Sequence, residues 1–279
     1  MRAPASTANL GPGYDVLAAA LAIELELEVE ETGDFSVECD VPGVPCDRTN
    51  LCVRGFERLH PADGLRFRIR SAIPPGAGLG SSAAAIVAGL SAADHLYELD
   101  AELFEHAAEL EGHPDNVAAA LMGGFVICMG SGEPPARFDP PAGLEGVLVI
   151  SGDQVSTSDA RGAMPVEVPL IDAIHNVGHA SLLVLGLAGG DFSLIGRGLR
   201  DRLHQPRRRS LYPRSMELVE RARELGAVGA TISGAGPTVL FWCHWEQTGA
   251  LVERLEAEAA GSQVRRVTLS PGGADVREL

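Results

Sequence analysis

The residues of this chain best suited to holding an anion run together in Pro74-Pro75-Gly76-Ala77-Gly78-Leu79-Gly80-Ser81-Ser82-Ala83-Ala84. The alanine-rich run behind them, Ala83–Leu96, reads as a buried helix, so the glycines sit where a helix begins. A helix N-terminus exposes unpaired amides and a partial positive charge, and both suit phosphate. Glycines let the backbone come close to an anion, while Ser81 or Ser82 can cap the helix or reach a phosphate or Mg²⁺. The chain has no lysine, its 22 Lys+Arg residues being arginine throughout. The stretch is therefore no Walker A loop, and it lacks the Rossmann spacing. Bound phosphate would have to be held by backbone amides, hydroxyls, arginine or a metal. Read from residue chemistry alone, an anion site and a structural glycine turn both remain open.

Three further segments accompany that loop: Pro4-Ala5-Ser6-Thr7-Ala8-Asn9-Leu10-Gly11-Pro12-Gly13-Tyr14-Asp15, Glu111-Gly112-His113-Pro114-Asp115-Asn116-Val117 and Thr231-Ile232-Ser233-Gly234-Ala235-Gly236-Pro237-Thr238-Val239-Leu240. Together the four resemble, in order, the signatures of the GHMP kinase superfamily, with the Glu111–Val117 segment in the form it takes among homoserine kinases. The resemblance spans nearly the whole chain. It implies an α+β, two-domain GHMP kinase fold, with an N-terminal ATP-binding domain over residues 1–143 and a ferredoxin-like C-terminal domain over 144–279, the site lying in the groove between them. It further implies that Pro74, Pro75, Gly76, Ala77, Gly78, Leu79, Gly80, Ser81, Ser82 and Ala83 cradle the triphosphate of ATP. By family position Asn50 joins the adenine contacts. Mg²⁺ falls to Ser82 and Glu111, with Glu109 one helical step away and a pair of solvated glutamates as the alternative.

The acceptor is narrower than the superfamily. Galactokinase-like and mevalonate-kinase-like members carry a general-base aspartate where this chain has Asn116, preceded by Asp115. An amide cannot take a proton but can hold a hydroxyl. The resemblance therefore implies transfer without a carboxylate base, the proton going to the γ-phosphate or to solvent. An amino acid with a free carboxylate and ammonium needs arginine for one and a carboxylate for the other. Asn9 and Asp15 stand at the family's amino-acid positions, and Arg161 and Arg208 fall in segments resembling those with its substrate arginines. The expected catalytic set is Asn116, Arg161 and Arg208, acting on L-homoserine and ATP to make O-phospho-L-homoserine for threonine synthesis. A mevalonate-, sugar- or shikimate-type acceptor is the alternative. Arg207 and Arg209 read as a solvated basic run, and His113, His175 and His204 as structural or surface residues. Family precedent adds a homodimer.

Elements to position these groups can be read from periodicity. Residues 4–13 are turn-rich. Alternation over Ile23–Glu30 predicts a half-buried strand with its acids in water, Phe35–Cys39 a partner strand, and Leu65–Ile69 a third. Helical spacing marks Asn50–Leu59, Ala101–Leu110, Asn116–Leu121, Ala173–Leu187, Phe192–Leu203, Ser215–Leu225 and Trp245–Ala260. Gly123–Cys128 reads as a glycine turn and then a strand, Ala230–Ser233 and Thr238–Trp242 bracket the loop Gly234–Pro237, and Val147–Ile150 and Val264–Leu269 read as strands, the last followed by a polar tail. The Pro/Gly-rich stretch Gly130–Gly146 is the expected junction between halves. The start of the chain suggests that a first strand before Pro4 is clipped.

With 279 residues, a net charge of −16, and 46% hydrophobic against 22% charged residues, the composition is that of a globular protein. An acidic, lysine-free surface argues against nucleic acid and anionic membranes as partners. Apolar stretches read as too interrupted to span a bilayer, and no signal peptide is visible, so a cytoplasmic enzyme is expected. The 5 cysteines form neither a CxxC pair nor a zinc pattern.

Overall fold

The computed structural model describes residues 1–130, 133–153 and 155–276. Ser131 and Gly132 of the expected junction, and the last three residues of the polar tail, lie outside them. The chain order is β1 (Arg2–Ala8), β2 (Leu17–Glu31), β3 (Ser36–Cys39), α1 (Leu51–Glu57), β4 (Leu65–Ser71), α2 (Ser81–Tyr97), α3 (Leu103–Glu111), α4 (Pro114–Met122), β5 (Phe125–Ile127), β6 (Ala136–Phe138), β7 (Leu144–Ile150), α5 (Thr157–Gly162), α6 (Leu170–Gly189), α7 (Phe192–Gly198), α8 (Pro213–Arg221), β8 (Gly229–Ile232), β9 (Val239–His244), α9 (Thr248–Glu258) and β10 (Gln263–Thr268). Short 3₁₀ turns cover Pro206–Arg208 and Trp245–Gln247.

The first sheet runs β3-β4-β2-β5-β6, with β1 also on β2, and the second runs β10-β7-β9-β8. Strand β2 is long enough to hold β5 along its first residues and β4 along its last. Its outer half alternates as the pattern demands: Ile23, Leu25 and Leu27 are buried, while Glu28 and Glu30 meet Arg68 and Arg66 across the strand pair. Its first five residues are buried without alternation, because both faces are covered there. One apolar cluster runs from Leu21 and Phe125 through to Leu148, Leu240 and Trp242, so the two sheets share a core. Helix α2 lies against α1 at close range. A Cβ on Gly89 would stand 2.0 Å from the Cys52 carbonyl oxygen.

Several expectations are corrected. The segment read as turn-rich is mostly strand: β1 runs through Pro4–Ala8, whose small side chains are buried, and a register shift between Pro4 and Ala5 absorbs the proline's missing N–H. A strand thus lies within the first signature, beginning at Arg2. β3 pairs with β4, in parallel, and not with β2. β6 and α5 were not expected, and α7 stops at Gly198, short of the expected Leu203. α6 is longer than expected and, by length and composition alone, could cross a membrane. Here it packs against α7, burying Asn176, Leu183, Gly186 and Leu187.

Candidate active site

β1 and the glycine loop build one end of a cavity together. Ser6 N–H donates to the Leu79 carbonyl at 3.1 Å, which ties the loop to the edge of β1. From the other side the Ser233 hydroxyl donates to the Gly78 carbonyl at 2.7 Å, joining the loop to the Thr231–Leu240 segment. Gly80 enters α2 with φ +65°, and a Cβ there would fall 1.9 Å from Ser6 Oγ. Among the described residues no side chain caps α2, whose N-cap is Gly80, which suits its first amides to face a ligand. Gly76, Gly78, Leu79, Gly80, Ser81 and Ser82 line a cavity of about 280 Å³. Pro74, Ala77 and Ala83 do not line it; the Ala77 and Ala83 side chains are buried beneath the loop.

Ser82 Oγ donates to Glu111 Oε1 at 2.5 Å, whereas Glu109 turns outward and pairs with Arg58. Burial raises the Glu111 carboxyl above its ordinary range, against the opposing Ser82 bond. Asn116 lies in the first turn of α4, where its Oδ1 accepts from Ser6 Oγ at 2.7 Å. Its neighbour Asp115 is 3% exposed and accepts the Asn116 backbone N–H at 2.8 Å; burial pushes its carboxyl up to about 6.

The far end is made of side chains. Asn9 and Asp15 both have positive φ (59° and 55°), and Asp15 N–H donates to Asn9 Oδ1 at 2.8 Å, closing the first-signature loop on itself. Asn9 Nδ2 donates to the Gly234 carbonyl at 2.9 Å. Arg161, on α5, donates from both terminal nitrogens to the Asp15 carboxylate at 3.0 and 3.2 Å. Arg208 is 2% exposed and donates to the Ala160 carbonyl at 2.9 Å and the Gly234 carbonyl at 3.3 Å. Arg207 and Arg209 are exposed and pair with Asp172 and Glu220.

Asn9, Asp15, Glu111, Asn116, Arg161 and Arg208 therefore converge on the cavity that the glycine loop lines. His113, expected to be structural or surface rather than catalytic, lines it too, and burial followed by the Arg161 charge lowers its basicity. The signal available in sequence was its place inside the Glu111–Val117 segment. Thr157, from the segment that carries Arg161, and Val155, which no motif marked, also line it. Asn50 lies apart from it. Its Oδ1 accepts from Cys52 N–H at 2.9 Å, capping α1, and it faces a second cavity of about 290 Å³. That cavity is mostly apolar, lined by Leu25, Val41, Val44, Ile69 and Ile73, and it reaches the loop at Pro75, Ser81 and Ser82.

Comparison with known proteins follows the same lines. The family profile "GHMP kinases N terminal domain" matches residues 50–124, and "GHMP kinases C terminal" matches residues 180–266. A homoserine kinase of Moorella thermoacetica is 38% identical over 260 residues, covering 88% of this chain and 88% of that protein. A crystal structure of homoserine kinase from Cytophaga hutchinsonii superposes with a TM-score of 0.85 at 30% identity, covering 98% and 95% of the two chains. The L. major mevalonate kinase shares the fold, with a TM-score of 0.73 at 19% identity over 98% and 96%.

Proposed function

Because the chain belongs to the GHMP kinases, and within them to the homoserine kinases, we propose that its cavity works as follows. The protein phosphorylates the side-chain hydroxyl of L-homoserine with ATP, giving O-phospho-L-homoserine on the route to threonine, a reaction of the cytoplasm. One observation carries the amino-acid reading: a carboxylate and a guanidinium, Asp15 and Arg161, face each other in the same cavity as the glycine loop. A zwitterion satisfies both at once. Its ammonium takes Asp15 and its carboxylate takes Arg161, each replacing the other as partner.

The triphosphate lies along residues 76–83 at the α2 N-terminus, with the base in the apolar cavity beside Asn50. Among the described residues no three His, Cys, Asp or Glu side chains form a self-sufficient metal site. Glu111 and Ser82 offer two oxygens, which suits Mg²⁺, an ion that completes its shell with phosphate oxygens and water. Bound there with the nucleotide, it supplies charge neutralisation as the phosphoryl group moves. Asn116, its amide oxygen engaged by Ser6, orients the acceptor hydroxyl. Asp115 spends one oxygen on the Asn116 amide, and in this reading the proton leaves to the γ-phosphate or to solvent. Positioning and charge neutralisation then carry the rate.

An ADP-release assay across homoserine, mevalonate, galactose and shikimate tests this. Turnover with homoserine alone is expected; turnover with another acceptor and none with homoserine overturns it.

A further inference from the structure

Behind the amino-acid end lies a buried polar cluster that the chemistry above does not use. Asn176 on α6 is 3% exposed and His204 is wholly buried. Both converge on the carboxylate of Asp201, whose side chain is also wholly buried. Asp201 Oδ1 accepts from Asn176 Nδ2 and Leu203 N–H, each at 2.8 Å. Asp201 Oδ2 accepts from the His204 and Gln205 amides at 3.0 and 2.7 Å. Buried polar groups satisfied this completely hold one geometry.

From that anchor the two side chains reach consecutive carbonyls of the loop that carries Asn9 and Asp15. His204 Nε2 lies 2.7 Å from the Gly11 carbonyl oxygen, and Asn176 Nδ2 donates to the Pro12 carbonyl at 3.2 Å. A carbonyl can only accept, so Nε2 carries the proton and Nδ1 is left as an acceptor. Arg208 Nη1 stands 3.4 Å from that Nδ1. The His204 ring also stacks on Tyr14, with centroids 5.4 Å apart, and the Arg208 guanidinium lies over the same Tyr14 ring at 5.1 Å. His204 thus touches the loop by its edge and its face, and Arg208 by its second nitrogen. Burial lowers the basicity of the imidazole against the pull of Asp201, favouring the state in which Nδ1 can accept.

We propose that Asn176 and His204, anchored on Asp201, are positioning residues for the amino-acid end of the cavity: they hold Asn9, Asp15 and Arg208 in register with one another. The inference rests on the homoserine reading above. None of the three residues lines the cavity, and none belongs to the glycine loop, so their loss should separate the two substrates.

The test compares Asn176→Ala, His204→Ala and His204→Gln with the parent enzyme, measuring the thermal midpoint and KM for homoserine and for ATP separately. Each alanine variant should raise the homoserine KM about tenfold, the loss of one or two hydrogen bonds, with the ATP KM within about twofold. Glutamine at 204 restores a donor near Nε2 but not the ring or the Nδ1 acceptor, so His204→Gln should recover part of the loss. A folded variant in which neither KM moves, or both move alike, overturns the inference. Should an alanine variant fail to fold, Asn176→Ser and His204→Gln must show the same split or overturn it. A parent enzyme that turns over homoserine alongside unmoved variants defeats only this inference; a parent with no homoserine turnover defeats the functional reading and this inference with it.

Discussion

The proposed phosphate end of the cavity comes from one continuous stretch, residues 76–82, and would meet its ligand mainly with backbone amides and two hydroxyls. The proposed amino-acid end takes Asn9, Asp15, Arg161 and Arg208 from three separate parts of the chain and would meet its ligand with charged and amide side chains. One end needs the absence of side chains, the other their presence. Amides fixed at a helix start need no rotamer ordering to face an anion, and they recognise any polyphosphate. Guanidinium and carboxylate groups must be held in place by neighbours, and in return they distinguish an amino acid from an alcohol.

The most damaging way to break the phosphate end is to give it a side chain. Gly80→Ala sets a Cβ against Ser6 Oγ at a positive φ and should cut kcat by about 1,000-fold, in the range for misplaced transition-state donors. Loss of homoserine binding alone, with kcat kept, would contradict the division between ends. Asp115 stands between them and is opposed by its own burial. Its carboxyl rises from 3.8 to about 6 in the fold, so the folded chain keeps a proton there that the unfolded chain has released. Stability therefore declines as pH rises through that window and stays reduced above it. Asp115→Asn removes the ionisation and keeps an acceptor for the Asn116 amide. It should stabilise the protein by roughly 3 kcal/mol at pH 7, the advantage fading below about pH 4. Urea melts at the two pH values check it, and a kcat loss beyond about 100-fold in the same variant would make Asp115 the missing base.

Smaller effects sharpen the amino-acid end. Arg161→Ala should raise the homoserine KM about 10- to 100-fold, as expected for losing a charge-assisted contact, and leave the ATP KM alone; steady-state kinetics with each substrate varied decides. Asn116→Ala should slow kcat about tenfold without abolishing it, since it removes an orienting hydrogen bond and no proton acceptor. Inactivity as deep as that of Glu111→Ala would contradict transfer without a base.

Contiguity governed what could be read before folding. Residues 74–83 were legible as a glycine loop opening a helix because glycine conformations and a helix start are local properties, set by neighbours a few positions away. The alternation in β2 was legible for the same reason, as were the four ordered signatures. The pairing of strands was not. β3 joins β4 in parallel because of where the two are brought by packing, and Phe35–Cys39 alone holds no trace of its partner. The strand hidden in Pro4–Ala8 was masked by residues with turn preference, whose burial between β2 and the helices outweighs that preference.

The sequence by itself determined a glycine-rich loop opening a helix, the lack of lysine, and the residue types available for an amino acid. Only the tertiary structure decided that Ser82 meets Glu111 while Glu109 goes to Arg58, that Asp15 faces Arg161, and that His113 joins the cavity. The reason is distance along the chain. Groups far apart in sequence meet only through packed helices and sheets, and no local preference of Asp15 or Arg161 contains the other's position.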